Sequence, residues 1–164
     1  MGWVMTGAGG STPEAVFIDG PRDADLRALY EYWNTVRGER AMPRRADIDP
    51  SEIPKLLPYI IMYNAVPGGG GYTIRLVGEE VVRLNGSNGT GRQAGSIMTP
   101  RGAEMMTRIL DAVARERVPK FRAGRTYWHP DKTYRDFEAC FLPLSPDGET
   151  VNIVLGGVKS PASV

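Results

Sequence analysis

A chain of 164 residues, 41% hydrophobic and 24% charged, has the size and composition of one globular domain; it is too short for two sizeable cores and too apolar for general disorder. Lys and Arg number 20 against 19 Asp and Glu, so a net charge of +1 leaves no overall field to draw the chain onto nucleic acid or anionic lipid. The lone cysteine, Cys140, rules out an internal disulfide framework and a cysteine-rich zinc site. No run approaches the roughly 20 apolar residues of a membrane-spanning helix, and the N-terminus lacks the basic start and apolar run of a secretory signal, so a cytoplasmic location without membrane insertion is expected.

Residues 1–20 carry turn and linker chemistry, with Gly7, Gly9, Gly10, Ser11, Thr12 and Pro13, and are expected to form a flexible arm ahead of a domain over 21–160. Met1 to Thr6 satisfy the loose N-myristoylation pattern, but nothing polybasic follows to supply a second anchor. From Asp23, the residues Leu26, Leu29, Tyr30, Trp33 and Val36 recur at three and four. That spacing predicts an amphipathic helix stopping at Gly38. Asp49-Pro50-Ser51-Glu52 has the cap, first-turn proline and acidic third position of a helix start, and Pro54 and Pro58 keep that helix short.

Tyr59 to Val66 and Tyr72 to Val77 read as two strands joined across the glycine run 68–71. A short helical piece with Val81, Val82 and Leu84 follows, then a Gly/Asn-rich stretch from Asn85 to Gly91. Thr99 and Pro100 start a longer helix with Met105, Met106, Ile109, Leu110 and Val113 on one stripe, its methionines read as core packing. Three strands complete the chain, over Lys120 to Trp128, Tyr134 to Leu144 and Val151 to Val158, meandering through turns at 129–133 and 145–148. Five strands split two and three, with helices between, give an α+β fold: an antiparallel sheet with helices on one face plus the N-terminal amphipathic helix.

At the level of residues the chain resembles the single-domain PAS_5 family of alphaproteobacteria over about residues 23–158. The resemblance is carried by Tyr32-Trp33 with Arg37-Gly38, by the run from Met42 to Pro50, and by Leu57-Pro58. Further on it is carried by Arg75 to Gly78, by Thr90-Gly91-Arg92, and by Leu142 to Ser145 with Asp147-Gly148. It implies a PAS-like five-stranded sheet of order 2-1-5-4-3 that senses a small molecule or docks a protein partner. PAS domains bind haem, flavin, small organic acids or nothing, and the resemblance transfers no cofactor.

No catalytic or metal-ligating set emerges from the residues. Cys140 lies within a strand, whereas a photoactive flavin PAS domain keeps its reactive cysteine in a helical motif, so Cys140 reads as core packing. His129, the single histidine, sits at a turn without a second histidine or a carboxylate to orient it. Asp47 and Asp49 flank a helix start, and Glu79 and Glu80 fall on a surface turn. The glycine-rich stretch 86–91 lacks the Gly-Lys-Ser/Thr ending of a phosphate loop. Arg37, Arg40, Arg44 and Arg45, interleaved with Glu39 and Asp47, read as a salt-bridged connector before an anionic partner surface.

The candidate ligand-binding residues are Tyr63, Arg75, Tyr127 and Trp128, from three strands, since an arginine beside aromatics suits a small carboxylate. The facing of each strand is left open. The expected function is a non-catalytic sensory module acting in trans, with its first helix packed on the sheet or on a second copy in a homodimer. The competing reading is a small cone-fold enzyme of the ketosteroid isomerase or nuclear transport factor type, which sheet order discriminates.

Overall fold

The computed structural model describes residues 16–125 and 135–160. Helix α1 spans Ala24–Arg37. The Asp23 carboxylate accepts hydrogen bonds from the amides of Asp25 and Leu26 at 2.9 and 3.1 Å, which satisfies two of the unpaired N–H groups at a helix start. Gly38 closes the other end at φ 60°.

The connector after α1 turns three times in short 3₁₀ segments, at Arg45–Asp47, Pro50–Glu52 and Leu57–Tyr59. Asp49 caps the second, accepting from the Ser51 amide. The reciprocal bond of the expected capping box is absent because a tyrosine intervenes. The Tyr32 hydroxyl accepts from the Asp49 amide and donates to Glu52 Oε1, each at 2.9 Å, tying the connector to α1.

Among the described residues six strands form one antiparallel sheet: β1 (Val16–Ile18), β2 (Ile60–Ala65), β3 (Tyr72–Val77), β4 (Lys120–Arg125), β5 (Asp136–Leu144) and β6 (Ile153–Lys159), in the order β1-β4-β5-β6-β2-β3. The five expected strands are β2 to β6, and counted among themselves they stand in the order 2-1-5-4-3. Strand β1 is an addition at the sheet edge. It lies inside the stretch 1–20 expected to be an arm, and pairs Val16 with Ala123 and Ile18 with Phe121. The other edge, β3, is covered by the glycine-rich stretch: Ile74 exchanges backbone bonds with Gly91 and Arg92, and the Ala94 amide donates to Tyr72.

Residues opposite one another in an antiparallel pair share a face, and neighbours along a strand alternate. Phe121, Cys140, Gly157 and Ile60 therefore form a row on one face, and α1 packs there through Leu26, Leu29 and Trp33. A Cβ on Gly157 would stand 2.8 and 2.9 Å from the Leu29 and Leu26 methyls, so glycine sets how closely α1 approaches. The opposite face carries α2 (Glu79–Asn85) and α3 (Pro100–Glu116). Both sides of β5 and β6 are thus covered, which is why Leu142, Leu144, Val154 and Leu155 are fully buried.

Candidate functional site

Between the sheet and helices α2 and α3 lies a cavity with sheet residues Ile61, Tyr63, Arg122, Phe137, Ala139, Phe141 and Val158 on one side. The helical side supplies Val81, Asn85, Met98 and Met106. Its origin is a shortage of bulk on one patch of the sheet. Ala139 stands between Arg122 and Val158 across three strands, and Gly156 stands between Phe141 and Ile61. The Tyr63 ring leans over Gly156, its Cε2 3.6 Å from where a Cβ would sit. The space open to the centre of a water molecule is about 20 Å³, room for a single water.

Two polar side chains are buried in this lining, Arg122 at 2% exposure and Asn85 at 8%. Strand alternation puts Arg122 there: Phe121 and Ala123, its neighbours in β4, belong to the α1 face, so Arg122 must take the other. Asn85 is the last residue of α2, and Gly86 behind it ends the helix in the left-handed region at φ 83°. Burial pushes the Tyr63 phenol well above its ordinary pKa, so it remains a neutral hydroxyl.

Of the ligand residues expected from sequence, Tyr63 lines the cavity and Arg75 does not. Met62 pairs with Leu76 and Tyr63 with Ile74, which leaves Arg75 as the extra residue of a β-bulge. It is exposed, with its guanidinium 3.3 Å from Asn64 Oδ1. Tyr127 and Trp128, and His129 with them, lie outside the described residues. The arginine of the cavity is Arg122, which the sequence reading passed over. Its signal was a charged residue between Phe121 and Ala123 in a strand of the closing meander, where both faces are covered.

The other candidates have structural partners. Asp47 accepts from the Arg44 amide at 2.8 Å and pairs with Arg40 and Arg44, and these contacts, the amide foremost, hold its carboxyl down at about 2. Arg37 lies over the Trp33 ring and bonds Asn34. Glu79 and Glu80 open α2 instead of lying on a turn, and Glu80 pairs with Arg83. The Cys140 thiol belongs to the α1 face, away from the cavity, and burial raises its pKa to about 12. Among the described residues no group of three or more His, Cys, Asp or Glu side chains is placed to hold a metal ion, and no helix is long and apolar enough to cross a membrane.

The pattern of the PAS_5 family, described as a PAS domain, matches residues 22–159. The chain belongs to this PAS family. No curated protein matches it. Among solved structures, an RNA-binding light-oxygen-voltage receptor superposes with a TM-score of 0.55 at 13% identity, covering 92% of this chain and 39% of that one. The light-oxygen-voltage protein of Rhodobacter sphaeroides gives 0.49 at 13% identity, over 70% of this chain and 69% of that one. The PAS domain of Bordetella pertussis BvgS gives 0.49 at 18%, over 65% and 79%. At these identities the likeness is one of fold. In this PAS domain the cavity occupies the space between sheet and helices, and α1 closes the sheet's other face.

Proposed function

We propose that this PAS domain is a non-catalytic sensory module that takes a small molecule into the cavity between its sheet and helices α2 and α3 and acts on a second protein in trans. The observation that carries the reading is Arg122, a charged side chain buried in a lining that is otherwise mostly apolar. Burying a guanidinium costs several kcal/mol, and an apolar side chain of similar volume would fill the space at lower cost. Arg122 already has an interaction partner, and the five N–H donors of a guanidinium can serve a bound molecule as well.

The same strands offer a route outward. Val158 lines the cavity, and the next residue, Lys159, bonds Asp25 and lies 3.7 Å from Asp23, the cap of α1. Phe141 lines the cavity, and two residues on, the Pro143 carbonyl accepts from Trp33 of α1. A change in the cavity that shifts β5 or β6 therefore bears on α1. The apolar face of α1 is covered by its own sheet, so a partner protein, or a second copy, reads its outer polar face.

The sheet order is that of a PAS fold and not of a cone-fold enzyme, which supports the sensory reading over the catalytic alternative. Nucleic acid stays outside the proposal, although one structural relative is an RNA-binding receptor. Here Arg40 and Arg44 both pair with Asp47, and the net charge is +1.

The test is native mass spectrometry of the purified protein beside its denatured mass, with a near-ultraviolet and visible absorption spectrum. The expected result is a small-molecule mass that is retained natively and lost on denaturation, or a thermal shift on addition of a metabolite set. An apo mass with no thermal shift from any metabolite would overturn the ligand reading and leave a protein-docking module.

A further inference from the structure

A second opening lies at the far end of β5, where the connector after α1 meets the turn between β5 and β6. We propose that this groove docks a partner protein through an extended segment with one acidic side chain, whose carboxylate is held by Arg40 and Arg44. The proposal rests on the reading that the domain acts on a second protein, and is independent of what the cavity holds.

The groove encloses about 400 Å³, with Arg40, Met42 and Arg44 on the connector side and Ser145, Asp147 and Gly148 on the turn side. Hydrogen bonds fix its shape. The Ser145 amide donates to the Pro43 carbonyl at 2.9 Å, and the Ser145 hydroxyl donates to Asp147 while accepting from the Gly148 amide, each at 2.9 Å. Met42 and Ser145, each 1% exposed, form the floor. The residues outside the description attach at the opposite end of β5, beside Val16, Arg125, Arg135 and Ser160.

Arg40 is held in place before any partner arrives. Its Nε and Nη2 donate to the carbonyls of Arg37 and Val36 in the last turn of α1, at 3.1 and 2.9 Å, and its Nη1 stands 2.8 Å from Asp47. Arg44 bonds the same carboxylate through Nε and Nη2. A guanidinium carries five N–H donors, so both arginines keep donors beyond these bonds, and both are open to water, with 43% and 57% of their side chains exposed. Asp47, with its carboxyl at about 2, offsets one of the two cations. The single positive charge that remains suits one carboxylate and is too little for a chain of phosphates. On the turn side Asp147 is also held at about 2, by the Thr150 and Glu149 amides first, and repels a second acid. The acidic side chain is thereby confined to the connector side, and a run of acids is disfavoured.

Exposure favours a protein segment over a free anion. An ion pair open to water is weak by itself, so binding here needs further contact, which the Met42 floor and Pro146 offer to the stem and backbone of an extended chain. Position supplies the link to the rest of the domain. Strand β5 runs from Phe141 in the cavity lining through Pro143, the acceptor for Trp33, and leads directly to Ser145 in the groove. Arg40 sits on the carbonyls that end α1. A shift of β5 or α1 therefore changes the groove.

The test titrates the isotope-labelled full chain and follows its amides by NMR. The probes are three blocked peptides of glycine and serine whose central residue is glutamate, glutamine or lysine, with sodium acetate and inorganic phosphate beside them. The glutamate peptide should shift amides at 40–47 and 145–149 and bind about tenfold or more tighter than the glutamine peptide, more weakly as salt rises, while the lysine peptide leaves the groove unshifted. Arg44→Gln should abolish the preference, and Arg44→Lys should keep part of it. If Arg44→Gln does not fold, the contrast between the peptides on the wild-type protein decides alone. Equal response to glutamate and to glutamine or lysine overturns the inference, as does acetate or phosphate binding as tightly as the glutamate peptide, which would leave a site for free anions only. Glutamate-dependent shifts confined to the outer face of α1 would overturn the groove and leave the trans-acting module in place, whereas no shift on either surface with any peptide would overturn both.

Discussion

The indole N–H of Trp33 donates to the carbonyl oxygen of Pro143 across 2.9 Å, in the buried layer between α1 and the sheet and over 110 positions of sequence. Proline removes a donor from a ladder and is normally kept from inner strands. Here the pairing of β4 with β5 ends at Lys120 and Phe141, so at Pro143 strand β5 has a ladder partner on one side only. The missing N–H is not needed there, and the carbonyl is open to the indole.

Replacing Trp33 by Phe should therefore destabilise the domain by about 1–3 kcal/mol, since it leaves a buried carbonyl without its donor as well as shortening the ring system. Urea unfolding followed by circular dichroism measures this. An unchanged midpoint would mean that the bond contributes nothing net to the docking of α1.

Gly157 makes a second prediction about the same layer. A Cβ there would lie 2.8 Å from Leu29 Cδ2, 2.9 Å from Leu26 Cδ2 and 3.0 Å from Cys140 Sγ. All three are ends of side chains, but all three are packed in the core. Gly157→Ala should cost about 1–3 kcal/mol by forcing α1 outward, with amide exchange in α1 rising more than in α3. Equal protection in both helices would count against a local displacement.

Asp47 sets a pH window. Its carboxyl is held at about 2 by the Arg44 amide and the Arg40 and Arg44 side chains, below the value of about 3.9 for an unfolded chain. Between those values the unfolded state binds the extra proton, so the stability contributed by Asp47 is fully present above about pH 4 and is lost as pH falls through about 2. Asp47→Asn should melt at a lower temperature than wild type at neutral pH, and the gap should close on acidification through that window. A gap independent of pH would show that the carboxylate charge is not what stabilises the connector.

Cys140 is fully buried with its thiol pushed up to about 12. Alkylation under native conditions should therefore be slow and follow global unfolding, becoming fast in denaturant. Because the thiol faces α1, cavity ligands should protect it only through overall stability, and Cys140→Ala should leave ligand binding unchanged. Rapid native labelling, read by mass spectrometry, would contradict the placement.

Much of the fold was legible from local signals. Asp23 and Gly38 bound α1 because a carboxylate can satisfy free amides and glycine can turn left-handed, and both effects act within a few residues. Thr99 and Pro100 mark the start of α3 for the same kind of reason, and the strands of the meander stand out by their apolar runs between turn residues. The quoted motifs placed these elements in one family, and with it came the sheet order.

What the chain could not reveal locally was facing. Strand parity is an exact alternation, so one extra residue reverses every side chain beyond it. The bulge at Arg75 is such an extra residue, visible only against the register of β2, and it moves an apparent pocket arginine onto the surface. Arg122 is the converse case: its strand reads the same whichever face α1 covers, and only the packing of Leu26 and Leu29 against Gly157 decides that the arginine turns toward the cavity. Strand β1 also had no local signal, because three residues of apolar sequence become a strand only when the edge of β4 is there to pair with them.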